Sequence, residues 1–379
     1  MPDILKPPNG CRQTIAPVAL QHIDAGSSGR LEGAVTLNRV TASEIERAVD
    51  ATSGKAPAIK PRYDVTNYRL IYHTIDGLGR PIQASGLVSV PVKAPGAPSP
   101  VLSYQHGTLF NDARAPSNHA VASEVTVVMA SLGYIVVAAD YVGYGASRGT
   151  PHPYLLAEPS AAAVLDLLTA AQSWRHQMGI ADNGQLFLTG YSEGGYATLA
   201  AHRAMQSADS PHLRQLVASV AGGGPYDVGV TVSEQLQRIR ARVPVIGTLF
   251  RPAVLERMGR PLRREARRLL MRRLVPAHAD VTLQTSFLDH HFDGDHATIE
   301  RLSNVHDWKP EAPVSLFHGR DDLTVPHASA VNALLAMRSR GAARVSLTSC
   351  PALPSSHRNC VAPFLDFMLA QFAGLARDR

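Results

Sequence analysis

The sequence predicts an α/β protein: a mostly parallel sheet with helices on both faces and one helical segment inserted between two of its strands. Three observations carry this. Short apolar runs recur at 101–104, 134–139, 185–189, 216–221, 313–317 and 344–348. Longer stretches of helical texture, such as 158–178 and 194–207, lie between most of them, and strand–helix alternation is what parallel strands joined by crossover helices require. The rhythm breaks once, from Tyr226 to about Glu311, where about 85 residues separate consecutive strands and an ordinary connection needs only a few.

Bulk properties narrow the class. Of 379 residues, 45% are hydrophobic and 18% charged, enough apolar chain to bury a sizeable core and too much for disorder outside the N-terminus. No run of 18 apolar residues occurs, which excludes a transmembrane helix. Three cysteines are too few for a disulfide scaffold and leave one odd thiol. The net charge of +6 is local: between Arg238 and Arg273, twelve Arg face only Glu256 and Glu265, so the rest of the chain is net negative. A basic surface for nucleic acid is not what this describes. Five Lys against 32 Arg read as a GC-rich coding bias. No charged n-region followed by an apolar stretch is visible at the N-terminus, so an exported protein would have this chain as its mature form.

In chain order, residues 1–60 are polar and punctuated by Gly and Pro, with one short helix expected after Thr41, where Thr41 and Glu44 have capping-box spacing. Residues 65–75 and 82–90 read as strands joined by a turn from Asp76 to Pro81, a hairpin. A Pro-rich loop, 91–100, leads into the alternating part, and with the hairpin eight strands are counted. Inside the long interruption, residues 262–274 place Leu262, Ala266, Leu269, Leu270 and Leu274 on one helical face with Arg pairs opposite. Packing over the strand ends explains that stripe, although a basic amphipathic helix also suits a membrane surface. An amphipathic helix from about Val361 closes the chain. The expected organisation is an N-terminal extension (1–60), an α/β core (61–225 and 312–379) and a helical cap (226–311).

The chemistry concentrates at Gly190-Tyr191-Ser192-Glu193-Gly194-Gly195, directly after strand 185–189 and before an Ala-rich helix. A GxSxG motif alone is weak; at a strand-to-helix turn it is specific. The turn is so tight that a Cβ at the glycines would clash, which leaves Ser192 projecting above the sheet. The helix behind it offers unpaired N–H groups and its positive dipole end to a developing anion. A serine hydroxyl needs a base, and the base must be held. His318 to Pro326 follows strand 313–317 and puts a carboxylate at the same sheet edge, while Ser355-Ser356-His357-Arg358-Asn359 follows the last strand. Nucleophile, acid, histidine is the chain order of the α/β-hydrolase arrangement.

With these residues in view, the chain resembles the α/β-hydrolases, and more narrowly the secretory lipase family of ester hydrolases. Tyr104-Gln105-His106-Gly107-Thr108, Asp140-Tyr141-Val142-Gly143-Tyr144-Gly145, the Gly190–Gly195 turn, and Asn304 to Pro310 leading into His318–Pro326 carry the resemblance, which runs from about Tyr63 to the C-terminus. It implies hydrolysis of a small-molecule ester through an acyl-enzyme, with no metal and no organic cofactor, in a periplasmic or secreted protein. Carried over residue by residue, Ser192 is the nucleophile, His357 the general base and then acid, and Asp322 the group that orients it. Asp322 stands four residues after His318, where the pattern HGxxDxxVP puts its acid; Asp321 is one residue early and would point elsewhere. The oxyanion hole falls to the backbone N–H groups of Glu193 and Thr108. The Glu193 carboxylate, His106, His318 and Asp140 read as structural.

Asp289-His290-His291-Phe292-Asp293-Gly294-Asp295-His296 has the composition of a metal site, but its spacing matches neither a zinc motif nor an EF-hand. It reads as a solvated cap loop. Cys350 and Cys360 bracket the His357 loop, and Cys11 is left over; a disulfide would steady the base and suit export, but spacing alone leaves it open. A carboxylesterase on small to medium esters is the first expectation, because the Arg-studded cap lacks the broad apolar mouth of a true lipase. Lipase is the close alternative and a serine peptidase of the same fold a more distant one. The arginines would also favour anionic or polyester-derived esters. Stable membrane insertion is not expected.

Overall fold

The computed structural model describes residues 28–52, 59–242, 259, 261, 265, 267–268, 270–272 and 275–379. Among these, nine strands form one sheet: β1 (Leu31–Val40), β2 (Val65–Ile75), β3 (Pro81–Pro91), β4 (Ser99–Gln105), β5 (Ile135–Ala139), β6 (Asp182–Tyr191), β7 (Leu216–Gly222), β8 (Val314–His318) and β9 (Val345–Ser349). Their order is β1-β2-β3-β5-β4-β6-β7-β8-β9. Neighbours from β1 to β5 are antiparallel and those from β5 to β9 parallel. The expected hairpin runs in unbroken register from Val65 opposite Pro91 to Ile75 opposite Pro81. Asp76 ties its turn, accepting from the N–H groups of Leu78 and Arg80 and from the Arg80 side chain.

The sheet has nine strands rather than eight. The extra one, β1, lies in the segment expected to be a polar extension. As an edge strand it buries only one residue, Val40, below a tenth exposure and leaves Val35 61% exposed. Its sequence therefore carries no apolar run, and the hydrogen-bonding edge of β2, not burial, holds it. The helix after Thr41 is α1 (Ala42–Asp50), and its capping box is complete: the Thr41 hydroxyl accepts from Glu44 N, and the Glu44 carboxylate accepts from Thr41 N. Such caps are worth about 1 kcal/mol.

Both faces of the sheet are covered. On one face α1, α2 (Val125–Ser131) and the helix Val361–Ala373 bury Ile45, Val127, Phe364 and Phe372 against Leu102, Val136, Phe187 and Phe317. On the other, α3 (Ala157–Met178) and α4 (Glu193–Ser207) bury Val164, Leu167, Trp174 and Ala197 against Val101, Ile135 and Leu188. The helix His327–Ser339 sets Ala330, Ala333 and Met337 against Val314, Leu316 and Val345. Burial from two sides is why the central strands read as continuous apolar runs.

Between β7 and β8 the described residues include α5 (Val228–Arg242) and the helices Ser286–Phe292 and His296–Leu302. They share one cluster, in which Val232 and Leu236 meet Leu270, Phe287, Phe292 and Ile299. Of the predicted stripe at 262–274 only Leu270 is described, and it is buried there; Leu262, Ala266, Leu269 and Leu274 lie outside the described residues, as does Cys11. The segment Asp289–His296 is not a solvated loop. It ends one helix and caps the next, with Phe292 buried and the Asp295 carboxylate accepting from Thr298 N. The acidic and His residues on its outer side masked the apolar spacing of Phe287, Leu288 and Phe292. Among the described residues no group of three or more His, Cys, Asp or Glu is arranged to hold a metal, and no helix is long and apolar enough to cross a membrane.

The topology also fixes where a site can form. From β4 the chain crosses to β5 on one side, and β6 then pairs on the other side of β4. Strand order reverses there, which opens a crevice beyond the carboxyl ends of β4 and β6. Residues 106–108 and Ser192 emerge into it.

Candidate active site

Ser192 sits between the last residue of β6 and the first of α4, at φ 62° and ψ −124°. A non-glycine residue in that region costs about 1–3 kcal/mol unless its surroundings impose it. Here they do. Ser192 N donates to Gly222 O at 2.8 Å, and Ser192 O accepts from Tyr196 N. The turn packs backbone against backbone: a Cβ on Gly190 would lie 2.3 Å from Gly194 O, and one on Gly194 would lie 1.9 Å from Gln105 O. Only glycine admits so close an approach.

His357 reaches the serine from the loop after β9. Its Nε2 lies 2.8 Å from Ser192 Oγ and its Nδ1 2.6 Å from Asp322 Oδ2. A carboxylate opposite Nδ1 fixes the proton there, so Nε2 is left to accept from the serine hydroxyl. Asp322 is saturated with donors. Its Oδ1 accepts from Thr324 N and Val325 N, each at 2.8 Å, and His318 Nε2 lies 3.4 Å from its Oδ2. Burial pushes the Asp322 carboxyl up, but hydrogen bonds from His318 and His357, the His357 charge and the Val325 N–H outweigh it and hold the group well below the usual carboxylate range.

Asp321 does point elsewhere. Its Oδ2 accepts from both the N–H and the hydroxyl of Ser355 at 2.9 Å, and the Ser355 N–H holds its carboxyl below the ordinary value. The clamp grips the chain two residues before His357. Cys350 and Cys360 are joined, with Cα atoms 5.9 Å apart. From the β6 side the Tyr191 hydroxyl donates to His357 O at 2.8 Å.

Thr108 follows β4 by three residues. A Cβ on Gly107 would lie 3.7 Å from Ser192 Cβ, which places this turn against the serine. The Thr108 hydroxyl is 3.1 Å from the Tyr154 hydroxyl. Glu193 opens α4, so its N–H has no intrahelical acceptor. The ring nitrogens of His106 face Gly107 O at 2.7 Å and Asp140 O at 3.2 Å, and burial holds its pKa below the ordinary value. His318 Nε2 donates to Val325 O at 3.0 Å. Asp140, fully buried, accepts from the Ser85 hydroxyl and from Ser117 N, tying its loop to β3.

Ser192, His357 and Asp322 thus form one hydrogen-bonded chain, with Thr108 and Glu193 beside the serine. Sequence reasoning missed His152, which meets the Glu193 carboxylate, and the hydroxyls of Tyr154 and Tyr191. No motif marks His152 or Tyr154, and Tyr191 fills a variable position of the serine motif; only the fold shows what these groups touch.

A reversed strand order with this constellation in its crevice defines the architecture: the chain has the α/β-hydrolase fold. It resembles the secretory lipase family, whose model matches residues 113–241, a stretch that holds Ser192 but ends before Asp322 and His357. Among solved structures, a candidate hydrolase of Legionella pneumophila superposes with a TM-score of 0.72 at 23% identity, over 91% of this chain and 97% of that one. The rice cell wall degrading esterase LipA of Xanthomonas oryzae gives 0.70 at 22%, over 92% and 100%. Candida antarctica lipase A in its closed state gives 0.58 at 17%, over 93% and 84%. At these identities the likeness is one of fold. A search of curated proteins gives no match.

Proposed function

We propose that the protein is a serine carboxylesterase that hydrolyses small to medium carboxylic esters through an acyl-enzyme. The observation that carries this is the unbroken chain from Ser192 Oγ through His357 to Asp322. As His357 Nε2 takes the hydroxyl proton, Ser192 Oγ adds to the ester carbonyl. The N–H groups of Glu193 and Thr108 receive the oxyanion. Collapse breaks the bond to the alkoxy oxygen, which leaves as the alcohol with the proton from His357. Water, deprotonated by His357, then attacks the acyl-Ser192 ester; as the bond from the acyl carbon to Ser192 Oγ breaks, His357 returns the proton to Oγ and the acid is released. Asp322, kept ionised, orients the ring and stabilises its imidazolium.

The match to the secretory lipase model supports ester cleavage, and the fold neighbours include proteins described as an esterase and a lipase. In this reading residues 61–225 and 312–379 form the catalytic core, and 226–311 form a cap that selects the acyl or alcohol part. The Cys350–Cys360 bond favours an oxidising compartment, hence a periplasmic or secreted protein.

The test is the initial rate on p-nitrophenyl esters from acetate to palmitate, with Ser192→Ala as the blank. A short-chain optimum that disappears in the variant supports the esterase, and a long-chain optimum moves the reading to lipase. Without Ser192-dependent turnover at any length, the proposal fails. A preference for anionic esters within this class would draw on Arg267, Arg268 and Arg272, which line a cavity of about 830 Å³ with Met271, Val275 and Val281 in the segment between β7 and β8, a lining that includes none of the triad residues. Its check is the ionic-strength dependence of kcat/KM, expected to be steep for acidic half-esters and flat for neutral esters.

A further inference from the structure

Directly behind the nucleophile lies a buried acid–base pair that the acyl-transfer scheme leaves unused. Glu193 is 3% exposed and His152 is 2% exposed. Glu193 Oε1 lies 2.6 Å from His152 Nε2, and His152 Nδ1 lies 2.8 Å from Val142 O. A peptide carbonyl can only accept, so Nδ1 carries a proton. Nε2 also faces an oxygen, so a second proton lies between it and Oε1. Whichever atom holds that proton, the pair is neutral overall.

Among the described residues no other partner neutralises the carboxylate. Glu193 Oε2 has no hydrogen-bond partner among the described residues. Tyr141 stacks on the His152 ring at 5.8 Å and 13°, and Tyr144 and Tyr154 meet it edge-on at 5.2 and 6.1 Å. Among the described residues no Lys or Arg is ion-paired with Glu193. A bare carboxylate here would carry the penalty of burial, and it would repel an oxyanion bound by the N–H of the same residue.

The ring is also firmly placed. His152 N donates to Thr282 O at 2.8 Å and His152 O accepts from Gln284 N at 2.7 Å, which fastens the 152 loop to the segment between β7 and β8. A Cβ on Gly143 would lie within 3.0 Å of the His152 backbone, so that loop packs against it too.

We infer that His152 is a positioning residue for ester hydrolysis: it supplies the proton that cancels the Glu193 charge and anchors the residue whose N–H meets the oxyanion. The inference rests on the esterase reading, and Ser192→Ala keeps the two apart. If that variant retains turnover, the esterase reading fails first; if it is dead, the His152 experiment stands alone. In the full chain, His152→Gln is expected to lower kcat by about 30- to 100-fold, with KM changed by no more than about twofold. A trifluoromethyl ketone, which adds to the serine and presents an oxyanion, should lose affinity in proportion.

Adding Glu193→Gln removes the charge that His152 compensates. The double variant should recover about tenfold of the lost kcat, a rescue that mere packing would not give. Wild-type kcat and inhibitor affinity in His152→Gln would overturn the inference, as would a double variant as slow as the single one. Should His152→Gln fail to fold, the double variant decides. If it is folded and active, charge compensation stands; if it also fails to fold, the pair serves stability and the inference falls.

Discussion

The turn that presents Ser192 and the loop that presents His357 solve one problem by opposite means. The Ser192 turn is held by its own backbone. Gly190 and Gly194 let it press against Gln105 O and against itself, and the strained φ of Ser192 is imposed by backbone alone, its N–H donating to Gly222 O of the next strand. The His357 loop has lighter internal support, chiefly Asn359 Nδ2 donating to Pro354 O and Cys360 N donating to Ser356 O. It is held from outside by the Cys350–Cys360 bond, by the Asp321 clamp on Ser355 and by the Tyr191 hydroxyl on His357 O. Backbone packing gives a position that fails all at once when a single atom is added. Distributed side-chain ties give one that degrades by steps, and each tie should have its own measurable share.

The largest expected effect comes where the two supports meet, at Asp322. Asp322→Asn keeps the shape but can offer an N–H to His357 Nδ1, which favours the wrong tautomer; kcat should fall by about 10⁴-fold. Because the folded carboxyl is held below its usual range, its contribution to stability is fully present above about pH 4 and lost as pH falls below that. Denaturant titrations between pH 6 and 2 should therefore show a shallower acid decline in the variant than in the wild type. A variant within tenfold of wild-type kcat would mean that another group orients His357.

Gly194→Ala tests the all-or-none side. Its Cβ would stand 1.9 Å from Gln105 O, a backbone atom that cannot swing away. The expected cost is about 3 kcal/mol, with at least about a 100-fold loss of kcat in whatever protein folds, since small displacements of a nucleophile are expensive. Denaturant midpoint and kcat should fall together. A stable, inactive Gly194→Ala would show that the turn tolerates the displacement and that only the chemistry does not.

What was legible in the sequence follows the same division. The Ser192 turn could be read because the glycines that its backbone contacts demand all fall within Gly190–Gly195, although the partners Gln105 O and Gly222 O lie on other strands. Asp322 could be chosen over Asp321 from its spacing after His318, and His357 from its place after the last strand. The disulfide stayed open because nine intervening residues do not set a Cα separation. The Asp321–Ser355 clamp spans 34 positions and the His152–Glu193 contact 41, so neither leaves a local pattern. β1 was invisible for a different reason: an exposed edge strand needs no apolar run.

The disulfide should matter more for stability than for rate. Closing a loop of this length restricts the unfolded chain by about 3 kcal/mol. Cys350→Ser/Cys360→Ser should lose roughly that amount in denaturant titrations while kcat falls only about threefold, because the Asp321 and Tyr191 ties remain. A collapse of kcat without loss of stability would make the disulfide the chief support of His357 rather than one of several.

The smallest effect is expected at Asp321, and it separates the supports most cleanly. Asp321→Ala removes the two hydrogen bonds to Ser355 and touches neither Ser192 nor His357. Its carboxyl is held below the ordinary value by the Ser355 N–H, so the clamp persists above about pH 4 and opens as acid protonates it. At pH 7 kcat should fall about twofold with KM unchanged, the mark of a base that spends less time aligned. In the Cys350→Ser/Cys360→Ser background the same substitution should cost distinctly more than it does alone, because the loop has then lost two of its outside ties and keeps the Tyr191 hydroxyl and the Asp322 carboxylate. Losses in kcat that simply multiply would show that the two ties act on different motions of the loop. A synergistic loss would show that each covers for the other, as distributed support requires.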